Sequence, residues 1–124
     1  MTDETESSAQ LVTEIVVPDL AATLAMLVAL GFCVERNDGG FAVLRWEEAF
    51  LFVAEDQAAL VEHRWTNVRV IVPDADVMLE KARRLGVQVV NAIGDRSYGL
   101  RDCIVRVPGG VGIRFAQILA ASPQ

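Results

Sequence analysis

Apolar and polar residues follow the same order twice along this chain. Residues 13–34 begin with alternating apolar positions, pass through Val-Pro-Asp at 17–19 and then carry apolar residues at helical spacing. The order starts again 55 positions later, with Val-Pro-Asp at 72–74, and the Leu-Gly pair at 30–31 recurs at 85–86. Because the offset is constant and has no gap, the pattern indicates two copies of one module, neither of which can bury its apolar sheet face alone.

Each copy predicts a strand, a helix and three further strands. In the first copy we expect strands over 11–17, 32–36, 41–46 and 49–54 and a helix over 20–29. In the second copy we expect strands over 66–72, 87–92, 101–107 and 111–118 and a helix over 75–85. Asp19 and Asp74 stand where helix N-caps are favoured, and Gly31 can end the first helix in a left-handed conformation. The predicted fold is α+β, with two βαβββ modules in a pseudo-twofold tandem repeat.

The stretches outside these elements divide the chain. Polar terminal segments order only when something ties them down, so we expect a flexible N-terminal tail. One hydrophobic core is expected for a chain of 124 residues. The predicted parts are a tail over 1–10, a single domain over 11–118 with modules at about 11–54 and 66–118, a linker over 55–65, a loop over 93–100 and a C-terminal tail over 119–124.

Composition and charge narrow the function classes. The net charge is −6 and the isoelectric point about 4.7, so the average field repels phosphates and attracts cations. We therefore expect no nucleic-acid partner. Residues 1–10 lack the apolar core of a signal peptide, and the apolar run at 20–31 is too short to span a bilayer. The sequence predicts a cytoplasmic protein with no membrane association.

Residues suited to nucleophilic catalysis are scarce. His63 is the only histidine and falls in the linker, so no Ser-His-Asp or Cys-His set can be built around it. The two cysteines form no disulfide framework, and we expect both Cys33 and Cys103 to be small core residues. Gly109 and Gly110 form a hairpin turn, because no helix follows them as in a phosphate-binding loop. We predict no catalytic residues.

Strand alternation assigns side chains to the two faces of each sheet. Glu14 and Arg69 are repeat equivalents that lie on the faces opposite the helices. They predict either an ion pair that lines a cleft or two solvated side chains. Alternation also places Arg114 on the polar face of the last strand. The residues expected to face the helices are Thr13, Ile15, Val17, Val68, Val70 and Val72.

Aromatic residues are candidate walls of a ligand groove. Both faces of strand 49–54 are apolar, so either Phe50 and Phe52 or Leu51 and Val53 must line a pocket or an interface. Trp46 and Trp65 can pack the seam between the copies or, with Phe52 and Tyr98, form flat walls for a planar ligand. The acidic residues that could attract a cationic ligand, or serve as ordinary solvated turns, are Glu14, Asp38, Glu47, Glu48 and Asp102.

Two segments carry a resemblance to a known group of proteins. They are LGFCVERNDGGFAVLRWEEAFLFVAED at residues 30–56 and YGLRDCIVRVPGGVGIRFAQ at residues 98–117. Together with the repeated Leu-Gly, they resemble the vicinal oxygen chelate superfamily of glyoxalases, extradiol dioxygenases and bleomycin resistance proteins, over residues 11–118. The first segment is most similar to bleomycin resistance proteins, in which an LGF, an aspartate-glycine hairpin and an aromatic strand follow one another.

The resemblance implies a fold, a site and a homodimer that completes its clefts. Metal enzymes of the superfamily place ligands at positions that here are Val12, Phe52, Asn67 and Arg114, none of which suits a divalent metal. We therefore expect no metal and no cofactor, and a non-enzymatic protein that sequesters a cationic or aromatic antibiotic of the bleomycin type. The candidate ligand-binding residues are Glu14, Trp46, Phe52, Trp65, Asn67, Arg69, Tyr98, Asp102 and Arg114.

Two alternatives stay open. One is a glyoxalase-, epimerase- or dioxygenase-like enzyme of the same superfamily, which stoichiometric bound metal would support. The other is a degenerate regulatory domain whose groove is filled by its own side chains, with Arg114 paired to Glu14 or Asp102.

Overall fold

The computed structural model describes residues 10–59 and 66–120, which include both copies of the predicted module. The first module consists of β1 (Thr13–Val17), α1 (Leu20–Leu30), β2 (Cys33–Asn37), β3 (Phe41–Trp46) and β4 (Ala49–Glu55). The second consists of β5 (Asn67–Ile71), α2 (Ala75–Arg84), β6 (Gln88–Asp95), β7 (Leu100–Arg106) and β8 (Gly112–Ile118). The predicted βαβββ order is confirmed in both modules.

Each module forms its own four-stranded mixed sheet. Sheet A has the strand order β1-β4-β3-β2, and sheet B has the equivalent order β5-β8-β7-β6. In each sheet the first strand of the module pairs in parallel with the last, while the other neighbours are antiparallel. A parallel pair needs a long crossover connection, which the helix and the two intervening strands provide. This topology leaves β1 and β5 as edge strands of their sheets.

The residues predicted to start the helices do so. The Asp19 side chain accepts a hydrogen bond from the Ala22 amide at 3.0 Å, and Asp74 accepts one from Val77 at 3.2 Å. These bonds satisfy amides that have no partner within the helix. Gly31 ends α1 with φ at 131°, a backbone conformation that side chains with a Cβ rarely adopt.

The modules repeat each other in details that the sequence alignment of the copies does not show. The Glu55 carboxylate accepts a hydrogen bond from the Leu20 amide at 2.9 Å, and the Gln117 side chain accepts one from the Ala75 amide at 3.0 Å. In both modules the last strand therefore binds the first turn of the helix. A β-bulge also recurs after Val34 in β2 and after its repeat equivalent in β6.

Buried residues of both modules form one continuous hydrophobic cluster between the helices and the sheets. Phe115, Leu27 and Leu30 are among its largest fully buried side chains. The Thr23 hydroxyl is also buried, and its one proton is shared between the backbone oxygens of Asp19 and Pro108, which lie 2.8 and 2.9 Å from its oxygen. The bond to Pro108 ties the first helix to the β7–β8 turn of the other module.

Two local predictions are wrong. The loop expected from residue 93 begins later, because β6 continues to Asp95 through irregular pairing that sets Gly94 opposite Asp102. Cys33 is exposed rather than buried, since every residue of the edge strand β2 is exposed. Cys103 is buried as predicted.

Some sequence predictions concern residues that the structure does not describe. His63 and Trp65 lie outside the described ranges, as do most residues of the two predicted tails. Within residues 10–59 and 66–120, neither helix is long and apolar enough to cross a lipid bilayer.

Candidate functional site

Each sheet has an inner face against the helices and an outer face turned away from them. In β4 the side chains of Leu51 and Val53 are buried in the core, so Phe50 and Phe52 lie on the outer face. Phe52 is the direct strand neighbour of Glu14 on β1. The sequence left open which apolar pair of this strand faces outward, and the burial pattern decides it.

The outer face of sheet A is mainly apolar and aromatic. The rings of Phe41 and Phe52 meet edge-on with centroids 5.3 Å apart, and the Arg36 guanidinium lies 5.7 Å from the Phe41 centroid. Arg36 also donates to Asp38 at 2.8 Å, so this acidic residue is neutralised by its neighbour. Glu14 is exposed and forms no ion pair with any residue that the structure describes.

The outer face of sheet B carries most of the candidate polar residues. Arg69 on β5 is the direct neighbour of Arg114 on β8, and Asn67 is the direct neighbour of Gly112. The Asn67 side chain occupies the space above Gly112, where an added Cβ would overlap its Oδ1 atom. Arg106 on β7 follows in the same row, on the far side of Gly112.

A buried carboxylate lies at the centre of this outer face. Asp102 is fully buried and accepts hydrogen bonds from Arg96 Nε at 2.7 Å, from the Tyr98 hydroxyl at 3.0 Å and from Arg114 Nη1 at 3.4 Å. Arg96 also donates to the backbone oxygen of Asp102 at 3.1 Å. The guanidinium of Arg69 lies 5.9 Å from the centroid of the Tyr98 ring. Four of the predicted site residues therefore contact one another directly.

Opposing effects set the charge state of Asp102. Burial raises the pKa of the Asp102 carboxyl. Hydrogen bonds from Arg96 and Tyr98 and the positive charges of Arg114 and Arg96 lower this pKa, and together they outweigh the effect of burial. The resulting pKa lies below the ordinary value of an aspartate. Asp102 is therefore an ionised and enclosed counter-ion for arginine side chains, and its charge is not open to a ligand.

A cleft of about 640 Å³ lies between the modules. It is bounded by the start of β1, the β3–β4 turn and β5, and its apolar wall includes Trp46, Phe50 and Ile71. Glu47, Glu48 and Arg69 provide its charged groups. Its volume falls in the range of about 300–1,000 Å³ that is typical of small-molecule sites.

Trp46 has two roles in this arrangement. Its ring packs on Phe32 with centroids 5.0 Å apart and on Phe115 of the second module at 6.2 Å, so it fills the seam between the modules. The absence of a side chain at Gly31 makes room for it, because a Cβ there would lie 2.8 Å from Cζ3 of the indole. The remaining surface of the ring lines the cleft. Seam packing and cleft lining therefore both apply to this residue.

The predicted site residues are distributed over three surfaces. Trp46 and Arg69 line the cleft, and Glu14 and Phe52 are neighbours on the outer face of sheet A. Among the residues that the structure describes, no ion pair joins Glu14 to Arg69, although they are repeat equivalents. Trp65 lies outside the described residues. The members on the outer face of sheet B are Asn67, Arg69, Tyr98, Asp102 and Arg114.

Sequence reasoning missed two arginines of this surface. Arg96 was assigned to a loop, and only its distance of 2.7 Å from Asp102 reveals its role. Arg106 could have been found, because it follows Asp102 and Ile104 in the alternation of β7. Because Cys103 and Val105 face the core, the alternating position Arg106 must lie on the outer face.

The side chains at the four positions that the sequence resemblance would assign to metal ligands do not fit a metal ion. Arg114 is a permanent cation that already donates to Tyr98 and Asp102, and Phe52 is part of an aromatic cluster. The Val12 side chain offers no donor atom, and Asn67 offers a single neutral amide that lies over Gly112. In the part of the chain that the structure describes, no group of three or more His, Cys, Asp or Glu residues is placed to hold a metal ion.

Comparisons with known proteins identify solved structures of the same architecture. No protein-family model matches this chain, and no curated protein matches its sequence. A bleomycin resistance determinant encoded on the transposon Tn5 superposes with a TM-score of 0.76 at 18% identity, covering 90% of this chain and 98% of that one. The bleomycin-binding protein of bleomycin-producing Streptomyces verticillus, complexed with copper(II)-bleomycin, has a TM-score of 0.70 at 23% identity, covering 94% and 98%.

A third solved structure extends the comparison beyond bleomycin-binding proteins. A glyoxalase/bleomycin resistance protein/dioxygenase from Alicyclobacillus acidocaldarius has a TM-score of 0.73 at 14% identity, covering 89% of this chain and 91% of that one. Identities this low establish the shared fold alone. The chain therefore has the fold of bleomycin resistance proteins and of glyoxalase/bleomycin resistance/dioxygenase proteins.

Proposed function

We propose that this protein binds and sequesters a bleomycin-type antibiotic, or a similar cationic aromatic molecule, without chemically changing it. The observation that carries the proposal is the cleft between the modules, where Trp46 and Phe50 form aromatic walls beside the carboxylates of Glu47 and Glu48. Flat aromatic walls bind planar groups, and carboxylates attract cations. Two solved structures of the same fold are bleomycin-binding proteins in complex with bleomycin or copper(II)-bleomycin.

The proposal includes a homodimer in which the outer face of sheet A covers the outer face of sheet B of a second copy. Phe50, Ile71, Tyr98 and Ile118 are exposed on or beside these faces. Exposed apolar groups of this size are common at protein interfaces. The charges are complementary, since Glu14 of sheet A forms no ion pair among the described residues and the outer face of sheet B carries Arg69, Arg106 and Arg114. Such pairing would enclose the cleft further.

The proposal places the protein in the cytoplasm. Cys33 is exposed and Cys103 is buried, and the two form no disulfide. Free thiols persist in reducing compartments, where disulfides are rare. This argument supports the location that the sequence predicts.

The test is a tryptophan-fluorescence titration with metal-free and with copper(II)-loaded bleomycin, at low and moderate salt. The expected result is saturable quenching at one ligand per chain, with weaker binding in higher salt because screening reduces the attraction of the carboxylates. The variant Trp46→Phe shows which tryptophan reports binding, since Trp46 and Trp65 are the two tryptophans of the chain. Sedimentation of the same samples reports whether the binding species is a dimer. The absence of quenching with both forms of bleomycin would overturn the antibiotic proposal.

One observation favours a second candidate function. Arg114 is paired to Asp102 at 3.4 Å, as expected for a degenerate binding domain whose groove is filled by its own side chains. That candidate predicts a dimer that binds neither form of bleomycin. The enzyme alternative predicts stoichiometric metal in the purified protein, which elemental analysis would detect.

A further inference from the structure

Two arginine side chains stand directly side by side on the outer face of sheet B. Arg69 of β5 and Arg114 of β8 are partners in the parallel register, and both point away from the helices. Like charges at directly opposed positions destabilise a sheet unless another group compensates for them. A further arginine, Arg106, lies one row away on β7.

The acidic groups near this pair do not balance its charge. The carboxylate of Asp102 is shared by Arg96 at 2.7 Å and Arg114 at 3.4 Å, and the shorter contact belongs to Arg96. Among the described residues no carboxylate lies within 4.0 Å of Arg69, which instead lies over the Tyr98 ring. Among the described residues, Asp102 is therefore the one carboxylate within ion-pair distance of any of Arg69, Arg96, Arg106 and Arg114, although the chain as a whole is acidic.

Unpaired donor atoms mark the same surface. The Nε atoms of Arg106 and Arg114 are buried and have no hydrogen-bond partner among the described residues. A buried donor without a partner costs about 1–3 kcal/mol, and more when it is charged. These unpaired donors show that the described residues supply too few acceptors on this surface, and an acceptor from outside the chain would balance the charges of Arg69 and Arg114.

We propose that Arg69 and Arg114 form a binding site for an oxyanion, meaning the carboxylate, phosphate or sulfate group of a small molecule. A guanidinium presents its N–H groups in a planar fork that matches such oxygens, and these charge-assisted bonds are stronger than neutral ones. Asp102 orients the fork of Arg114 by accepting from its Nη1 atom. The Tyr98 ring positions Arg69 through a cation–π contact.

This site goes beyond the antibiotic proposal. The cleft between the modules offers carboxylates and aromatic walls, whereas the outer face of sheet B offers cations. Arg69 lines the cleft as well, so a single ligand with a cationic aromatic part and an acidic group could occupy both surfaces. The inference stands on the arginine geometry alone and does not require that ligand.

Calorimetric titration with inorganic phosphate and with benzoate tests the site, with chloride used to match the ionic strength. Benzamide is the neutral counterpart of benzoate. The expected result is saturable binding of at least one oxyanion and no binding of benzamide. Arg69→Gln is predicted to weaken that binding at least about tenfold, because it removes a charge-assisted contact. Arg84→Gln, on the exposed surface of α2, is the matched control and should leave the affinity unchanged.

Arg69 is exposed, so its substitution should leave the chain folded, and this variant carries the test. Arg114→Lys is the second variant, since it keeps the charge but loses the fork, and it should also weaken binding. Binding of phosphate and benzoate alike would support a general oxyanion site, and binding of benzoate alone would support one for planar carboxylates. Equal affinity in wild type and Arg69→Gln would overturn the proposal.

One outcome would assign these arginines to a different occupant. If neither oxyanion binds, and if Glu14→Gln and Arg69→Gln both weaken dimerisation, the counter-ion is Glu14 of the second copy and the small-molecule site is refuted.

The two proposals fail separately. Bleomycin quenching without oxyanion binding would refute only this inference, whereas oxyanion binding without quenching would refute only the antibiotic proposal.

Discussion

The rings of Trp46 and Phe115 lie with centroids 6.2 Å apart across the seam between the two modules, inclined at 47°. Trp46 ends β3 of the first module, and Phe115 is a fully buried residue of β8 in the second. The contact joins the two copies of the repeat in one hydrophobic core. The same indole also forms a wall of the cleft, so stability and ligand binding meet at one side chain.

Trp46→Ala is predicted to lower the free energy of unfolding by up to about 3–5 kcal/mol, the cost of removing a fully buried aromatic side chain, because the half-buried indole packs on Phe32 and Phe115. Urea denaturation in the absence of ligand measures the change. Trp46→Phe should lose less, because a smaller ring still fills part of the seam. A change below about 1 kcal/mol for Trp46→Ala would contradict the seam role, since surface substitutions stay in that range.

Phe52→Ala is predicted to weaken bleomycin binding more than it weakens folding, because Phe52 lies on the outer face of sheet A, which forms the proposed dimer contact that encloses the cleft. The dissociation constant and the free energy of unfolding are measured on the same protein. Val53→Ala is the matched control in the same strand, since Val53 is fully buried and does not line the cleft, so its loss should lower stability without changing the dissociation constant. If Phe52→Ala instead loses about 3–5 kcal/mol, then Phe52 is a core residue and the site lies elsewhere.

Asp102 is predicted to make the free energy of unfolding depend on pH in the acid range. Its pKa is lower in the folded state than the value of about 3.9 expected in the unfolded chain, so the ionised carboxylate stabilises the fold above that value. This contribution is lost as the pH falls through the lower folded-state pKa. Asp102→Asn should therefore be less stable than wild type at neutral pH, and the difference should shrink below about pH 4.

Denaturation at several pH values measures that difference. Asp38→Asn is the control, because Asp38 forms only an exposed ion pair with Arg36 and should change stability little at any pH. A constant difference between wild type and Asp102→Asn across the acid range would show that the carboxylate is not preferentially ionised in the fold.

Gly112→Ala is predicted to displace Asn67 from the outer face of sheet B. The added Cβ would overlap Oδ1 of Asn67 and would lie 3.0 Å from Cγ2 of Ile104. Shortening the Asn67 side chain should restore part of the stability that Gly112→Ala loses. The double variant Gly112→Ala/Asn67→Ala should therefore be more stable than the sum of the two single losses predicts. Strict additivity in a double-mutant cycle would contradict this contact.

The two cysteines are predicted to differ in reactivity. Burial raises the pKa of the Cys103 thiol, and the side chain is inaccessible, whereas Cys33 is exposed on the edge strand β2. A thiol reagent should modify one cysteine per native chain and both after denaturation. Cys33→Ser identifies the reactive residue, since it should abolish the fast reaction. Fast labelling that persists in Cys33→Ser would show that Cys103 is exposed by native-state opening.

Local patterns predicted most of the fold. The Val-Pro-Asp and Leu-Gly repeats located both helices, and strand alternation put Ile113 and Phe115 on the face opposite Arg114, where both are buried. These predictions hold because strand period and capping depend on residues that are close in sequence. The end of β6 was predicted wrongly, because its pairing across an irregular stretch depends on β7 rather than on its own residues.

The candidate site was predicted only in part. Alternation placed Asn67, Arg69 and Arg114 on one face, but it did not show that Asp102 is enclosed by Arg96, Tyr98 and Arg114. It also suggested a contact between Glu14 and Arg69 that the structure does not contain. Side-chain partners across strands depend on register and on rotamers, which sequence spacing does not encode.

The sequence by itself determined the two βαβββ modules, the starts of both helices and the core and outer faces of β1, β5 and β8. Periodicity is enough for this, since an apolar face must be buried wherever it occurs. The tertiary structure decided that Trp46 closes the seam on Phe115 and that Asp102 is buried among arginines. It also decided that the outer face of sheet B is cationic within an acidic chain. Those features depend on contacts between distant residues, whose distances and charges become defined only when both sheets are formed.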